Sequence, residues 1–587
     1  MTLTLTLADA LTKRHWGTAE WHRGALASTD SLTLQAVRNE FTGFQIHLTA
    51  DYDYTLITDR ANWLHPLGLL PRVRLAVAFP SLPRDCIEVL PIGWMEGDDR
   101  RLWMETFERS GWVEVPAGRP QGVYVRVHVP ADLPPGVHEG HVRAFTQQGF
   151  ETETLAWEAS VRLEAAAATL PDVRDFTFHL NLWQHLTALS RFYRVPLWSD
   201  AHFAIIDRYF ASLAALGQKA LTLVVSEFPW SGQRCYRDRA YPSYLFEHST
   251  VPVFRGADGS LHCDFSALDR LIQMASAHGM DREIDLLGMV NIWIDPEYGF
   301  GKAAPDAPDA MRVRIYDEST GTFSYLTSVD DLRRYIGLLH NHLRDLGVME
   351  RVRVSSDEPA DLDAFNRSLE FVREAGPDFR FGAAINHFEF LEDASPGLID
   401  FVPVLPLACK DPALTARLAE QVRAKEGRML WYICCWPPIP NTFLHSPLPE
   451  SRLLGWLNYA LKMDGFLRWA FCLWPADPWQ RVSWRAPDWS AGDMYFVLPG
   501  LDGSPVETLR YEALRFAVQD YELLKLAQRT LPTEEMEAVL HKAFTCILRT
   551  ENLGDFANVG TLKPQDLYSL DPADYHRARE IVIGALS

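Results

Sequence analysis

The stretch Arg351-Val352-Arg353-Val354-Ser355-Ser356-Asp357-Glu358-Pro359 ends a strand-like run in two adjacent carboxylates. Arg351 to Val354 alternates basic and apolar residues, the period-2 pattern of a short strand. Leu362, Phe365, Leu369 and Val372 then recur at helical spacing. A strand that ends in acids and hands over to a helix is how a barrel presents catalytic groups at the carboxyl ends of its strands. Adjacent carboxylates repel, so one stays ionised while the other's pKa is pushed up. The pair can therefore supply a general acid beside a fixed negative charge. A purely local role suits the same residues, because Asp caps helix amino termini well and acids favour a first helical turn.

The surrounding pattern supplies the elements to hold such a pair. Strand patterns fall at residues 176–183, 220–225, 284–290, 352–356, 381–385, 401–405, 429–435 and 466–471. Helical patterns lie between most of them, at 201–216, 265–278, 329–346, 362–375, 412–425 and 451–463, and a last helix is expected at 506–526. Strands alternating with helices in this way predict a (β/α)8 TIM-type barrel over residues 172–530. An open doubly wound sheet is the alternative, but no Gly-rich phosphate loop follows the first strand. Residues 1–168 are rich in short alternating strands, such as Val123–Val129, with turns such as Leu133–Gly136 between them. They predict an N-terminal β-sandwich domain. Residues 531–587 are expected to form a short helical C-terminal extension.

In a barrel, the residues that close these strands face the chemistry. They are Asn181, Trp183, Gln184 and His185; Glu227 and Trp230; Asn291 and Trp293; Asp357 and Glu358; Asn386 and His387; Trp436 and Asn441; and Trp474 and Asp477. Tyr432 and Trp469 join them as expected sugar contacts. Aromatic rings and amides dominate the set. Aromatic faces stack on the apolar faces of sugar rings, and they equally fill cores. Phosphate binding would need arginines or a glycine nest, and neither is evident. His185 and His387 lack metal-ligand spacing, and no Gly-x-Ser-x-Gly elbow occurs, so neither a metal nor a cofactor is expected.

Composition narrows the partners. The 56 basic and 77 acidic residues leave a net charge of −21, which argues against nucleic acid or an anionic membrane surface. Many of the 19 tryptophans bunch between Trp431 and Trp489. The eight cysteines have no metal-site spacing and read as reduced thiols. Met1 to Leu11 is weakly apolar, with no basic residue before its leucines, so a signal peptide is not expected and a cytoplasmic location is.

Several stretches carry a family resemblance. Asp175–Gln184 (DFTFHLNLWQ), Trp198–Phe203, Pro437–Asn441, the Trp469–Trp479 run and Leu509–Glu522 resemble glycoside hydrolase family 123 and the related domain of unknown function 4091. The likeness covers most of residues 30–525. It implies a retaining, exo-acting β-N-acetylhexosaminidase of the N-acetylgalactosaminidase kind, acting on an oligosaccharide or glycoconjugate. Substrate-assisted catalysis is also implied, in which the sugar's own acetamido oxygen is the nucleophile. Asp357 would then hold the acetamido N–H, and Glu358 would serve as acid and then base. Family members are often secreted, which differs from the cytoplasmic expectation here. A glycosidase of different sugar specificity, with Asp357 as nucleophile or stabiliser, and a non-catalytic carbohydrate-binding barrel are the competing readings.

Overall fold

The computed structural model describes residues 2–16, 31–59, 70–229, 246–291, 302–392, 398–475, 477–480 and 489–586. Trp230 and Trp293 lie outside them. The architecture is mixed α/β.

Eight parallel strands occupy the centre: β1 (His179–Leu182), β2 (Ala220–Val224), β3 (Glu283–Leu287), β4 (Val352–Asp357), β5 (Arg380–Ile385), β6 (Leu398–Pro403), β7 (Leu430–Tyr432) and β8 (Gly465–Arg468). β2 to β6 pair in chain order as a five-stranded sheet, and β1, β8 and β7 form a three-stranded one. Isolated parallel bridges join the two sheets on both sides, Leu180 to Gln218 and Phe401 to Met429. Side chains complete the first join. The Leu182 amide donates to Gln218 Oε1 at 2.9 Å, and the Thr222 amide donates to Gln184 Oε1 at 2.8 Å.

Several of the helices between the strands begin where the sequence offers caps. Ser199 caps Asp200–Leu216, Ser328 caps Val329–Asp345, and Asp411 caps Pro412–Arg423, each accepting a backbone N–H of the first turn. Between Leu448–Ala460 and Leu509–Thr530 the helices approach closely at Gly455, where a Cβ would stand 1.9 Å from the Ala517 carbonyl oxygen.

The described residues between Leu3 and Thr169 form two sheets. One is antiparallel, with Gln121–Val129 at its centre, and the other contains Gly136–Gln147 and Thr154–Thr169. A single buried cluster draws on both, including Ile46 and Val125 from the first and Val73, Val142 and Val161 from the second. The alternation in Val123–Val129 suggests one solvated face, yet Tyr124 and Arg126 are buried as well. The helix Leu509–Thr530 covers that outer face through Leu509, Ala513 and Phe516. Arg126 is buried between Glu507 (2.7 Å) and Glu512.

Between β2 and the helix Val329–Asp345 the chain adds short strands that its periodicity does not announce. Val253–Arg255, Leu261–Cys263, Arg314–Asp317 and Thr322–Tyr325 form a small four-stranded sheet. Runs of three or four residues are too short for a period-2 signal. Among the described residues, no helix is long and apolar enough to cross a membrane.

Candidate active site

Asp357 is the last residue of β4, and Glu358 follows with φ of 43°. Left-handed backbone is unusual for a non-glycine residue and marks a locally strained turn. Consecutive strand residues point to opposite faces, so a turn here is what allows both carboxylates to serve one pocket. The Glu358 amide still donates to Ala384 O of β5 at 3.0 Å, which anchors the bend. Neither acid caps the next helix. Asp361 does so, accepting the Ala364 amide at 2.6 Å.

Both carboxyls are partly exposed by surface area, yet both are pushed above the usual carboxylate range. Burial is the main cause for each. For Asp357 the Glu358 charge adds to it and the rise is the larger. For Glu358 two groups oppose it, a hydrogen bond donated by the Tyr432 hydroxyl and the nearby His387. Two interacting acids share their first proton as a pair. Asn291, also left-handed with φ of 51°, donates through its side-chain amide to the Asp357 carbonyl, while its own amide is held by Asp309.

The pair stands on a buried polar column. Arg353, Ser355 and Asp357 alternate along one face of β4. Arg353 pairs with Asp400 at 2.5 Å, Ser355 donates to Asp285 at 2.5 Å, and Arg428 pairs with Glu283 at 2.5 Å. Burial and the neighbouring Glu283 push the Asp285 carboxyl far up.

The predicted site residues separate into two groups. Tyr432, Asn291 and His387 reach the acids. Asn386 is exposed two residues beyond Ala384, the register partner of Asp357, and Trp436 is 47% exposed just past β7. Most others have partners inside the fold. Asn181 donates to Asp285 at 2.7 Å, and Gln184 stitches β1 to β2. Glu227 accepts from His248 (3.0 Å), Arg314 (2.9 Å) and Tyr325 (2.8 Å), which depresses its pKa against the effect of burial. His185 bridges Glu247 and the Trp469 carbonyl, both at 2.8 Å. The Asn441 side chain donates to Cys434 O (2.9 Å) and Pro437 O (2.6 Å) and accepts from Arg468 (3.0 Å) and Thr442. Trp183 is buried, and Trp474 is buried with its indole N–H on Val497 O at 2.9 Å.

Trp469 is buried, and its N–H points to Asp493 at 3.3 Å. Asp493 is a residue that sequence reasoning missed. It lies in an irregular loop without a motif, is paired with Arg468 at 2.8 Å, and is pushed up to about 6, mainly by burial, with Glu358 contributing. Among the described residues, no group of three or more His, Cys, Asp or Glu is placed to hold a metal. A cleft of 1230 Å³ lined by Arg423, Tyr459, Lys525 and Phe544 opens where Asp464 leads into β8, at the amino ends of the strands, and contains none of the predicted residues.

Comparison with known proteins places this geometry in a family. The family pattern described as Glycoside hydrolase 123, catalytic domain, matches residues 183–527. A family 123 glycoside hydrolase from Clostridium perfringens, studied for glycolipid glycan hydrolysis, is similar in fold. Its TM-score is 0.72 at 14% identity, over 100% of this chain and 98% of that one. An intracellular xylanase from Thermoanaerobacterium saccharolyticum shares 12% identity over 58% of this chain and 96% of that one, with a TM-score of 0.28. A β-D-glucuronidase from Dictyoglomus thermophilum shares 10% identity over 84% of this chain and 69% of that one, with a TM-score of 0.29. No curated protein matches the chain in sequence. The catalytic-domain pattern spans more than half of the residues and encloses the Asp357–Glu358 turn, and the chain belongs to glycoside hydrolase family 123 and is a glycosidase.

Proposed function

We propose that the chain is a retaining, exo-acting β-N-acetylhexosaminidase, N-acetylgalactosaminidase-like, working by substrate assistance on the glycan of a glycolipid or other glycoconjugate. The observation that carries this reading is the Asp357–Glu358 pair, bent at Glu358 and raised in pKa by burial. A raised Glu358 is a protonated acid able to give its proton to the glycosidic oxygen. A raised Asp357 is a poor nucleophile at neutral pH, which favours the assisted route over attack by a protein carboxylate. In that route the acetamido N–H donates to Asp357, favours its anion, and leaves the shared proton on Glu358. Once Glu358 has given up the proton, the Tyr432 hydroxyl stabilises the carboxylate that next deprotonates water.

Tyr432, Asn291, Asn386 and Trp436 form the sugar-facing rim in this reading. Asn181, Trp183, Gln184, Glu227, Asn441, Trp469 and Trp474 support it from behind. The eight parallel strands are taken as a closed (β/α)8 barrel over residues 172–530, supported by the bridges at both sheet edges. Residues 1–168 are taken as a β-sandwich domain and 531–587 as a helical extension.

The test is hydrolysis of para-nitrophenyl N-acetyl-β-galactosaminide alongside the glucosaminide, galactoside and glucoside. Turnover confined to acetamido sugars is expected, with a loss of about 100-fold or more in Asp357→Asn and, on unactivated glycosides, in Glu358→Gln. Comparable turnover of sugars that lack the acetamido group would overturn the assisted mechanism.

A further inference from the structure

A contact from near the end of the chain reaches the loop after β7. The Asn441 amide donates to Glu450 Oε2 at 2.9 Å, and the Tyr568 hydroxyl donates to Glu450 Oε1 at 2.8 Å. We propose that Tyr568 and Glu450 are positioning residues for the sugar-facing rim, holding Trp436 in its binding place through Asn441. The effect on sugar binding rests on the rim assigned to Trp436 above, whereas the hydrogen-bonded link does not.

The link is continuous from Tyr568 to the rim. Asn441 Nδ2 donates to Cys434 O at 2.9 Å and to Pro437 O at 2.6 Å, so one side chain grips the backbone on both sides of Trp436. The Cys434 amide closes the same turn by donating to Trp436 O at 3.1 Å. The Trp436 ring is half-exposed, so this backbone, more than packing around the ring, sets where it stands.

Glu450 is built to hold. It is buried in the first turn of the helix Leu448–Ala460, yet its carboxyl turns to Asn441, nine residues earlier, and to Tyr568. A donor on each oxygen fixes the plane of the carboxyl. Both donors are neutral, and burial pushes the Glu450 pKa up to about 7 against them. Without the Tyr568 hydroxyl one buried oxygen is stranded, the group is free to turn, and the Asn441 contact weakens.

Tyr568 stands on a rigid support. It is buried and stacked on Phe556, with ring centroids 6.2 Å apart. Its segment is pinned to the helix Thr533–Ile547 by the Arg549 amide on Leu567 O (3.0 Å) and the Ser569 amide on Ile547 O (2.7 Å). Phe544 of that helix packs edge-on against Trp456 of the helix that carries Glu450. Arg579, in the helix Pro572–Ala585, pairs with Asp520 and, at 2.6 Å, with Glu40. The residues after Thr530 are thus tied to both barrel helices and to the N-terminal strands, and Tyr568 carries that anchorage to the rim.

The experiment compares Tyr568→Phe, Glu450→Ala and Glu450→Gln in the full chain. Phe keeps the ring and removes only the donor. Gln keeps an acceptor for the Asn441 amide and can donate to the Tyr568 oxygen. Hydrogen exchange of residues 433–442 should quicken in Tyr568→Phe and Glu450→Ala and return towards wild type in Glu450→Gln. On acetamido nitrophenyl glycosides, KM should rise about 3- to 10-fold in the first two, with kcat within about twofold of wild type. In a Trp436→Ala background, Tyr568→Phe should leave KM where it is, because the ring it positions is gone. Unchanged exchange overturns the link. A KM that stays at the wild-type value, rises equally without Trp436, or holds while kcat falls overturns the positioning role. Thermal unfolding verifies the variants, and Tyr568→Phe decides if Glu450→Ala fails to fold. A chain that turns over no glycoside counts against the proposed function, and exchange still decides the link.

Discussion

The hydroxyl of Tyr432, at the end of β7, donates a hydrogen bond to Oε1 of Glu358 at the end of β4. Burial raises the Glu358 pKa, and this bond holds it down, so the two strand ends together set the strength of the acid. Tyr432→Phe removes the donor and lets the Glu358 pKa rise further. The basic limb of the kcat/KM pH profile should therefore move to higher pH. A hydrogen bond to a charged group is worth about 1.5–3 kcal/mol, so kcat/KM should fall about 10- to 100-fold. A basic limb that stays in place or moves down would separate Tyr432 from Glu358.

Asp357 is held protonated to a higher pH in the fold than in the unfolded chain. Above the ordinary carboxylate pKa the unfolded state ionises while the fold keeps its proton. Stability is therefore lost as pH rises through that window. Asp357→Asn removes this penalty. The variant should melt higher than wild type at neutral pH and near wild type at about pH 4. Scanning calorimetry at both pH values measures the difference, and equal melting at neutral pH would contradict the raised pKa.

Glu227 shows the opposite sign, since its three donors depress its pKa. Its contribution is present above the unfolded carboxylate pKa and is lost as pH falls through the folded value. Glu227→Gln should destabilise the protein at neutral pH and matter progressively less in acid. Hydrogen exchange of residues 314–325, which Glu227 ties down through Arg314 and Tyr325, should quicken in the variant.

Asn441 and Trp436 sit five residues apart and should respond differently. Asn441→Ala strands the Arg468 donor and the carbonyls of Cys434 and Pro437, so unfolding in denaturant should show a loss of about 3 kcal/mol. Trp436 is a half-exposed ring at the rim. Trp436→Ala should raise KM about 10-fold with kcat little changed, the signature of lost uniform binding. Trp474→Ala should instead cost about 3–5 kcal/mol of stability, because that ring is buried against Phe192 and Tyr209.

Periodicity and residue type determined a good deal. The eight strand positions and the helix Leu362–Ala375 follow from local patterns, because backbone pairing and apolar burial repeat at the period of each element. The adjacent acids were legible for the same reason, since their type and place at a strand end are local facts. The resemblance to family 123 rested on stretches of consecutive residues and is borne out. Tertiary structure alone decided which polar residues were free to act. Asn441 and Gln184 look like sugar-binding amides until partners from other strands occupy them. Asp357 looks like a helix cap until Asp361, four residues on, takes that place. Asp493 acquires its meaning only when Arg468 and Trp469 fold onto it. A side chain's type sets what it can bond, but its partners and its desolvation come from segments far away in the chain, and these decide whether it holds the fold or faces a substrate.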